Sequence, residues 1–109
     1  MTLWRTVEAA DFEGRRKPIA RGLAAEAVKL NQFDSQPGQA GIEHDERESG
    51  QEEIYFALRG SGLLRVDGDE VELTPGRYVL VEPEATRQVV AGPEGLSYAV
   101  VGAVPEAGA

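Results

Sequence analysis

Residues 63–73 read Leu-Leu-Arg-Val-Asp-Gly-Asp-Glu-Val-Glu-Leu, in which Asp67-Gly68 separates two short apolar stretches. Asp-Gly between β-forming residues is a strong hairpin signal, because both residues tolerate the positive φ angles of a tight turn. Val71 and Leu73 alternate with acidic residues, so the returning strand presents one apolar face. This stretch therefore predicts a two-stranded hairpin with one face against a core.

The rest of the chain repeats the pattern of short β-rich runs that end at glycine or proline. Further runs cover residues 27–33, 53–58, 78–81, 88–91 and 96–101. Turn signals recur about every 8–12 residues, which is the spacing of a sandwich or barrel. Two glycine-containing stretches are interpreted as turns between separate strands: Gly60-Ser61-Gly62 and Gly92-Pro93-Glu94-Gly95. We therefore expect an all-β fold of seven or eight short strands, with at most one short helix.

The residue inventory excludes several classes of active site. The chain has 109 residues, no cysteine and a single histidine, His44. Without cysteine there is no disulfide, no thiol nucleophile and no thiolate metal site. With one histidine, a single chain cannot form a zinc finger, an HExxH protease site or a facial site of two histidines and one carboxylate.

The charge is acidic overall but uneven along the chain. The formal net charge is −8, while residues 1–22 hold five basic side chains against three acidic ones. An acidic body repels phosphate backbones, so we expect no nucleic-acid partner. No apolar run approaches the roughly 18 residues of a membrane span, and no secretion signal is recognisable, so we expect no membrane partner and a cytoplasmic location.

The length suits one domain, which we divide into three parts. Residues 1–18 form an N-terminal arm with apolar Leu3, Trp4, Val7 and Phe12, residues 19–104 form the β-barrel, and residues 105–109 form a flexible tail. The arm is too apolar to trail in solvent. We expect it to pack, and to lie across an edge strand of a neighbouring copy in a homodimer.

The acidic segment of residues 43–53 carries the only histidine. Six of its eleven residues are acidic, so a solvated loop is the simplest interpretation. The spacing around it is more specific, since Gly38, five residues, His44, one residue and Glu46 are followed by Glu53, six residues and Gly60. A second stretch, residues 76–87, runs from a glycine through a β-rich segment and Pro83 to Arg87.

These two stretches, with the hairpin between them, resemble the two sequence motifs of the cupins. The resemblance covers roughly residues 27–104 and implies the cupin double-stranded β-helix, a jelly-roll barrel. In typical cupins two histidines and a glutamate of the first motif and one histidine of the second bind a divalent metal. His44 and Glu53 match that set, whereas Glu46 and Arg87 stand where the other two histidines would be.

The two departures change what the site can bind. A guanidinium is always charged and has no lone pair, so Arg87 repels a divalent cation and pairs with Glu53 or Glu46 instead. We therefore expect no cofactor. The alternative is a weak site in which His44, Glu46 and Glu53 bind Mn, Fe, Ni or Zn.

Strand alternation extends the site to a pocket lining. If Glu53 points inward, so does Tyr55, and Tyr98 on the last strand is a candidate wall with a polar tip. Ordinary core packing is the alternative role for both tyrosines. We predict that His44, Glu46, Glu53, Tyr55, Arg87 and Tyr98 converge on one ligand pocket.

Three functions remain open at this point. The first is a cupin that binds a small molecule in the barrel without metal. The second is an enzyme, either metal-dependent like a dioxygenase or an acid–base catalyst like an isomerase, with His44 and Glu53 as catalytic residues. The third is an assembly protein whose acidic face binds a partner. We favour the first, and whether any reaction is catalysed stays open because jelly rolls host many functions.

Overall fold

Six strands and two short helical segments make up about half of the chain in this computed structural model, which describes residues 3–106. The strands are β1 (Arg16–Lys17), β2 (Lys29–Ser35), β3 (Glu52–Val66), β4 (Asp69–Leu73), β5 (Tyr78–Val81) and β6 (Arg87–Ala103). A 3₁₀ turn covers Ala9–Asp11, and the helix α1 covers Ile19–Gly22. The all-β prediction is confirmed. No helix among residues 3–106 is long and apolar enough to cross a membrane.

The long strands β3 and β6 organise the sheet. All pairings are antiparallel, in the order β1-β2-β6-β3-β4, and β5 pairs with the first half of β3. Each long strand therefore pairs with different neighbours along its two halves, and it bends between them as expected for a jelly roll. β3 pairs with β5 over Glu53–Phe56 and with β4 over Gly62–Val66.

Two of the predicted turns are wrong. Gly60-Ser61-Gly62 lies inside β3, and residues 92–95 lie inside β6, at positions where the register between the two strands shifts. A Cβ on Gly60 would clash with the carbonyl oxygen of Gly95, and Gly60 has a φ of 78°. These glycines are therefore required because the strands bend here and the two backbones come close together. In the sequence alone, such glycines look the same as the glycines of a turn. The seven predicted runs become five strands because two pairs merge, and β1 is a sixth strand that the sequence did not predict.

The hairpin prediction is confirmed. β3 and β4 pair directly across Asp67-Gly68, whose φ angles are 47° and 90°. Positive φ at both central residues is the geometry of a type I′ turn. The apolar face of the hairpin contributes Leu64 and Leu73, both fully buried, to the core.

The residues expected to form the arm lie partly against their own barrel. β1 pairs with β2, and Phe12 packs against Gly22 of α1. Leu3 and Trp4 are exposed in the single chain, and their packing across a neighbouring copy stays a prediction. Of the predicted tail, residues 107–109 lie outside the described part of the chain.

Candidate functional site

A cavity of about 390 Å³ opens between the inner face of the sheet and the segment that precedes β3. All six side chains predicted to form the pocket line it: His44, Glu46, Glu53, Tyr55, Arg87 and Tyr98. The elements that hold them are tied together by the backbone, since the N–H groups of His44 and Arg87 each donate to the carbonyl of the other, at 2.9 and 2.8 Å. This bridge fixes the acidic segment against the start of β6.

Glu53 sits at the floor of the cavity with both carboxylate oxygens hydrogen bonded. Gln51 Nε2 donates to Oε2 and Tyr55 Oη donates to Oε1, each at 2.8 Å. Burial raises the pKa of the Tyr55 hydroxyl, and the adjacent Glu53 carboxylate raises it further, so Tyr55 keeps its proton and remains a donor. Alternation along β3 places Glu53, Tyr55 and Ala57 on this inner face.

Arg87 is only 1% exposed and lies beside Glu53. Its Nη2 atom is 3.4 Å from Glu53 Oε1, and its Nη1 atom donates to the carbonyl oxygen of Ala85 at 2.7 Å. Within residues 3–106, Nε and Nη2 find no acceptor with hydrogen-bond geometry. The contact with Glu53 is therefore an ion pair of poor hydrogen-bond alignment, and two buried donors of Arg87 are unsatisfied.

His44 and Glu46 form a second polar pair on the wall of the cavity. His44 Nδ1 lies 2.9 Å from Glu46 Oε2 and 3.3 Å from the carbonyl oxygen of Asp45. Because both neighbours are acceptors, we assign the proton of a neutral ring to Nδ1, which leaves the Nε2 lone pair free. The other carboxylate oxygen of Glu46, Oε1, accepts a hydrogen bond from the Ser49 hydroxyl at 2.9 Å.

Arg15 lines the same cavity but was not among the predicted site residues. Its guanidinium lies 5.0 Å from the ring centroid of Phe33, and Nη2 is 3.5 Å from the Tyr98 hydroxyl. Burial raises the pKa of Tyr98, and Arg15 opposes that rise. The basic run Arg15-Arg16-Lys17 was a usable signal. The sequence-based prediction omits Arg15 because it assigns residues 1–18 to an arm that lies across a neighbouring copy.

The family model for the cupin domain matches residues 31–101, about two thirds of the chain. This chain is a cupin. A cupin protein from Bacteroides fragilis shares 21% identity with it, over 98% of this chain and 89% of that one, with a TM-score of 0.84. A sugar phosphate isomerase of the cupin superfamily from Silicibacter pomeroyi shares 20% identity over 86% and 67% of the two chains, with a TM-score of 0.69.

One curated relative matches part of the cupin by sequence. The dimethylsulfoniopropionate lyase DddW of Ruegeria pomeroyi is 40% identical over 47 residues, or 43% of this chain. The matched segment spans less than a third of that lyase, 31% of its length. The likenesses to solved structures establish the fold, which agrees with the predicted jelly roll.

The donor set of this cupin fits a metal ion only in part. One potential ligand atom each from His44, Glu46 and Glu53 lie within 4.8 Å of one another, so a group able to hold a divalent ion is present. Arg87, which the motif resemblance aligns with the fourth ligand of typical cupins, places a permanent positive charge 3.4 Å from Glu53, one of the three. A guanidinium cannot ligate, and it repels a cation in a cavity of low dielectric. The four residues therefore do not fit the usual cupin metal site.

Proposed function

We propose that this cupin binds a small molecule in its barrel cavity, without a metal ion in the usual cupin position. The observation that carries the proposal is the buried Arg87 guanidinium 3.4 Å from Glu53, inside the cavity. A volume of about 390 Å³ lies in the range of small-molecule sites, which combine apolar walls with a few convergent polar groups.

In this proposal Arg87 balances the charge of the buried Glu53 carboxylate, as a bound metal ion does in typical cupins. A buried carboxylate needs a cation or hydrogen bonds to remain charged, and Arg87, Gln51 and Tyr55 supply both. Because a guanidinium group is a permanent cation, this arrangement does not depend on metal supply.

The test is elemental analysis of protein purified without chelators, followed by calorimetric titration with Ni²⁺ and Zn²⁺. We expect well under one equivalent of any transition metal per chain, and weak binding of Ni²⁺ and Zn²⁺ on titration. One tightly held equivalent that is lost in Glu53→Gln would overturn the metal-free assignment. A fragment screen by NMR, with shifts mapped to the cavity, tests small-molecule binding separately.

An enzyme is the second candidate, and the pairing of His44 with Glu46 at 2.9 Å favours it. An imidazole oriented by a carboxylate, with Nε2 free, can act as a general base or acid, with Glu53 as the second catalytic group. The test is to follow a bound ligand by NMR for chemical change, with and without added Mn²⁺, Fe²⁺, Ni²⁺ or Zn²⁺. Turnover that disappears in His44→Gln while the ligand still binds would establish catalysis.

We also propose that two copies associate through the outer face of the sheet. The cross-strand pairs Ile54–Leu80 and Phe56–Tyr78 place apolar side chains on one side, and Ile54, Tyr78 and Leu80 are exposed. Because each copy carries a net charge of −8, a contact made through these apolar side chains brings the fewest like charges together. Light scattering at micromolar concentration should give a dimer mass that Leu80→Glu reduces to a monomer mass; a monomer in the parent contradicts this.

The cytoplasmic location stays a prediction.

A further inference from the structure

Two arginines in the cavity have buried donors without acceptors. Among residues 3–106, the side-chain nitrogens in this condition are Nε of Arg15 and both Nε and Nη2 of Arg87. Buried N–H groups are paired in the great majority of native structures, so an unpaired charged donor requires an explanation. Both arginines line the same cavity, so an acceptor atom that enters it, from a ligand or an ordered water, approaches their guanidinium groups.

Arg15 is held in place before any ligand arrives. Its guanidinium packs over Phe33, and a Cβ on Gly41 would lie only 3.0 Å from Nη2. The backbone is fixed as well, because the N–H of Asp34 donates to the Arg15 carbonyl at 2.9 Å. A pre-positioned guanidinium loses little conformational entropy when it binds an acceptor.

The charge of the cavity is opposite to that of the chain. Three arginines, at positions 15, 16 and 87, line it together with two carboxylates, Glu46 and Glu53. With His44 neutral the lining carries one net positive charge, although the chain as a whole carries −8. This local excess favours an anion over a neutral or cationic molecule, although Arg16 is exposed and solvent screens its charge.

We infer that the ligand of this cavity is a small monocarboxylate, whose oxygens accept hydrogen bonds from Arg15 and Arg87. The inference rests on the proposed small-molecule function and specifies its ligand class. The planar fork of a guanidinium matches the two oxygens of a carboxylate.

A monocarboxylate fits better than a phosphate ester because Glu46 and Glu53 share the cavity. A dianion would meet both of these carboxylates, whereas one negative charge balances the single net positive charge of the lining. The apolar part of the ligand has apolar lining to contact, since Phe33, Ile42 and Val89 also line the cavity. An aromatic carboxylate can therefore place its charged end at the arginines and its ring on these side chains.

The experiment compares four probes that share a benzene ring: benzoate, benzamide, phenyl phosphate and benzylamine. Affinities come from NMR titration of ¹⁵N-labelled protein. We expect benzoate to bind at least about tenfold more tightly than benzamide, because charged hydrogen bonds are stronger than neutral ones. Arg15→Gln should weaken benzoate about tenfold and leave benzamide unchanged, which also shows that the variant is folded. Arg21→Gln removes one exposed charge from outside the cavity and serves as the matched control.

Each other outcome refutes a defined part of the reasoning. Benzamide binding as tightly as benzoate would overturn the carboxylate inference while leaving small-molecule binding intact. Tighter binding of phenyl phosphate would overturn the choice of a monocarboxylate. Equal losses in Arg15→Gln and Arg21→Gln would mean that only overall charge matters, which also overturns the inference. Failure of all four probes to shift cavity resonances would overturn the proposed function together with the inference.

Discussion

Removing Arg87 should destabilise the fold, because its charge partner would remain buried. Arg87 and Glu53 are 1% and 8% exposed, and Arg87→Ala leaves the Glu53 carboxylate in that environment without a cation. Breaking a fully buried pair costs about 3–5 kcal/mol. Gln51 and Tyr55 still donate to Glu53 at 2.8 Å, so we expect the lower end, about 3 kcal/mol.

Urea unfolding followed by circular dichroism measures this loss. The control is the double variant Arg87→Ala/Glu53→Gln, in which the stranded charge is removed and part of the stability should return. Two results would refute this reasoning: a loss below about 1 kcal/mol, or a double variant that is no more stable than Arg87→Ala. Either would mean that the ion pair is solvated and that Arg87 does not offset the desolvation of Glu53.

Three further substitutions test other features of the structure. Arg87→His should bind Ni²⁺ or Zn²⁺ more tightly than the parent by calorimetry; equal or weaker binding would mean that the arginine is not what excludes metal. Burial raises the pKa of Asp34, but hydrogen bonding by Ser97 and nearby cations outweigh this and hold the pKa below its ordinary value. Asp34→Asn should therefore cost stability near pH 6, with the cost fading below about pH 4 as Asp34 of the parent is protonated; a pH-independent cost in urea unfolding would contradict this. Gly60→Ala should cost about 2 kcal/mol more than Gly14→Ala by urea unfolding, because both glycines have positive φ but only at Gly60 would a Cβ meet backbone; equal costs would refute the clash.

The features predicted correctly from the sequence are those set by local chemistry. The turn at Asp67-Gly68 requires only two residues that accept positive φ, and alternation along a strand requires only its own residues. The bends at residues 60–62 and 92–95 depend on which backbone lies opposite, and that information is not local. A glycine that permits a turn and one that permits close contact look the same in a single sequence.

The site shows the same division. Glu53 and Tyr55 share a face by alternation, and the motif spacing placed His44 near them. Arg15 lines the cavity because the adjoining edge strand β1 pairs with β2, a contact between segments separated in the sequence. Composition suggested an arm with a basic excess, but only the strand pairing directs that charge towards the barrel.

The positions of the arginines give an electrostatic reason why a cupin barrel can operate without metal. Relative to a set of three histidines and one glutamate, Glu46 adds a negative charge and Arg87 adds a positive one, so the four-residue set keeps the same net charge. What is then missing is the double charge of the metal. In the proposed metal-free site, Arg15 and Arg16 bring two positive charges to the same cavity. The cavity thus carries the positive charge that would attract an anionic ligand. This charge is spread over side chains that offer hydrogen bonds instead of metal coordination.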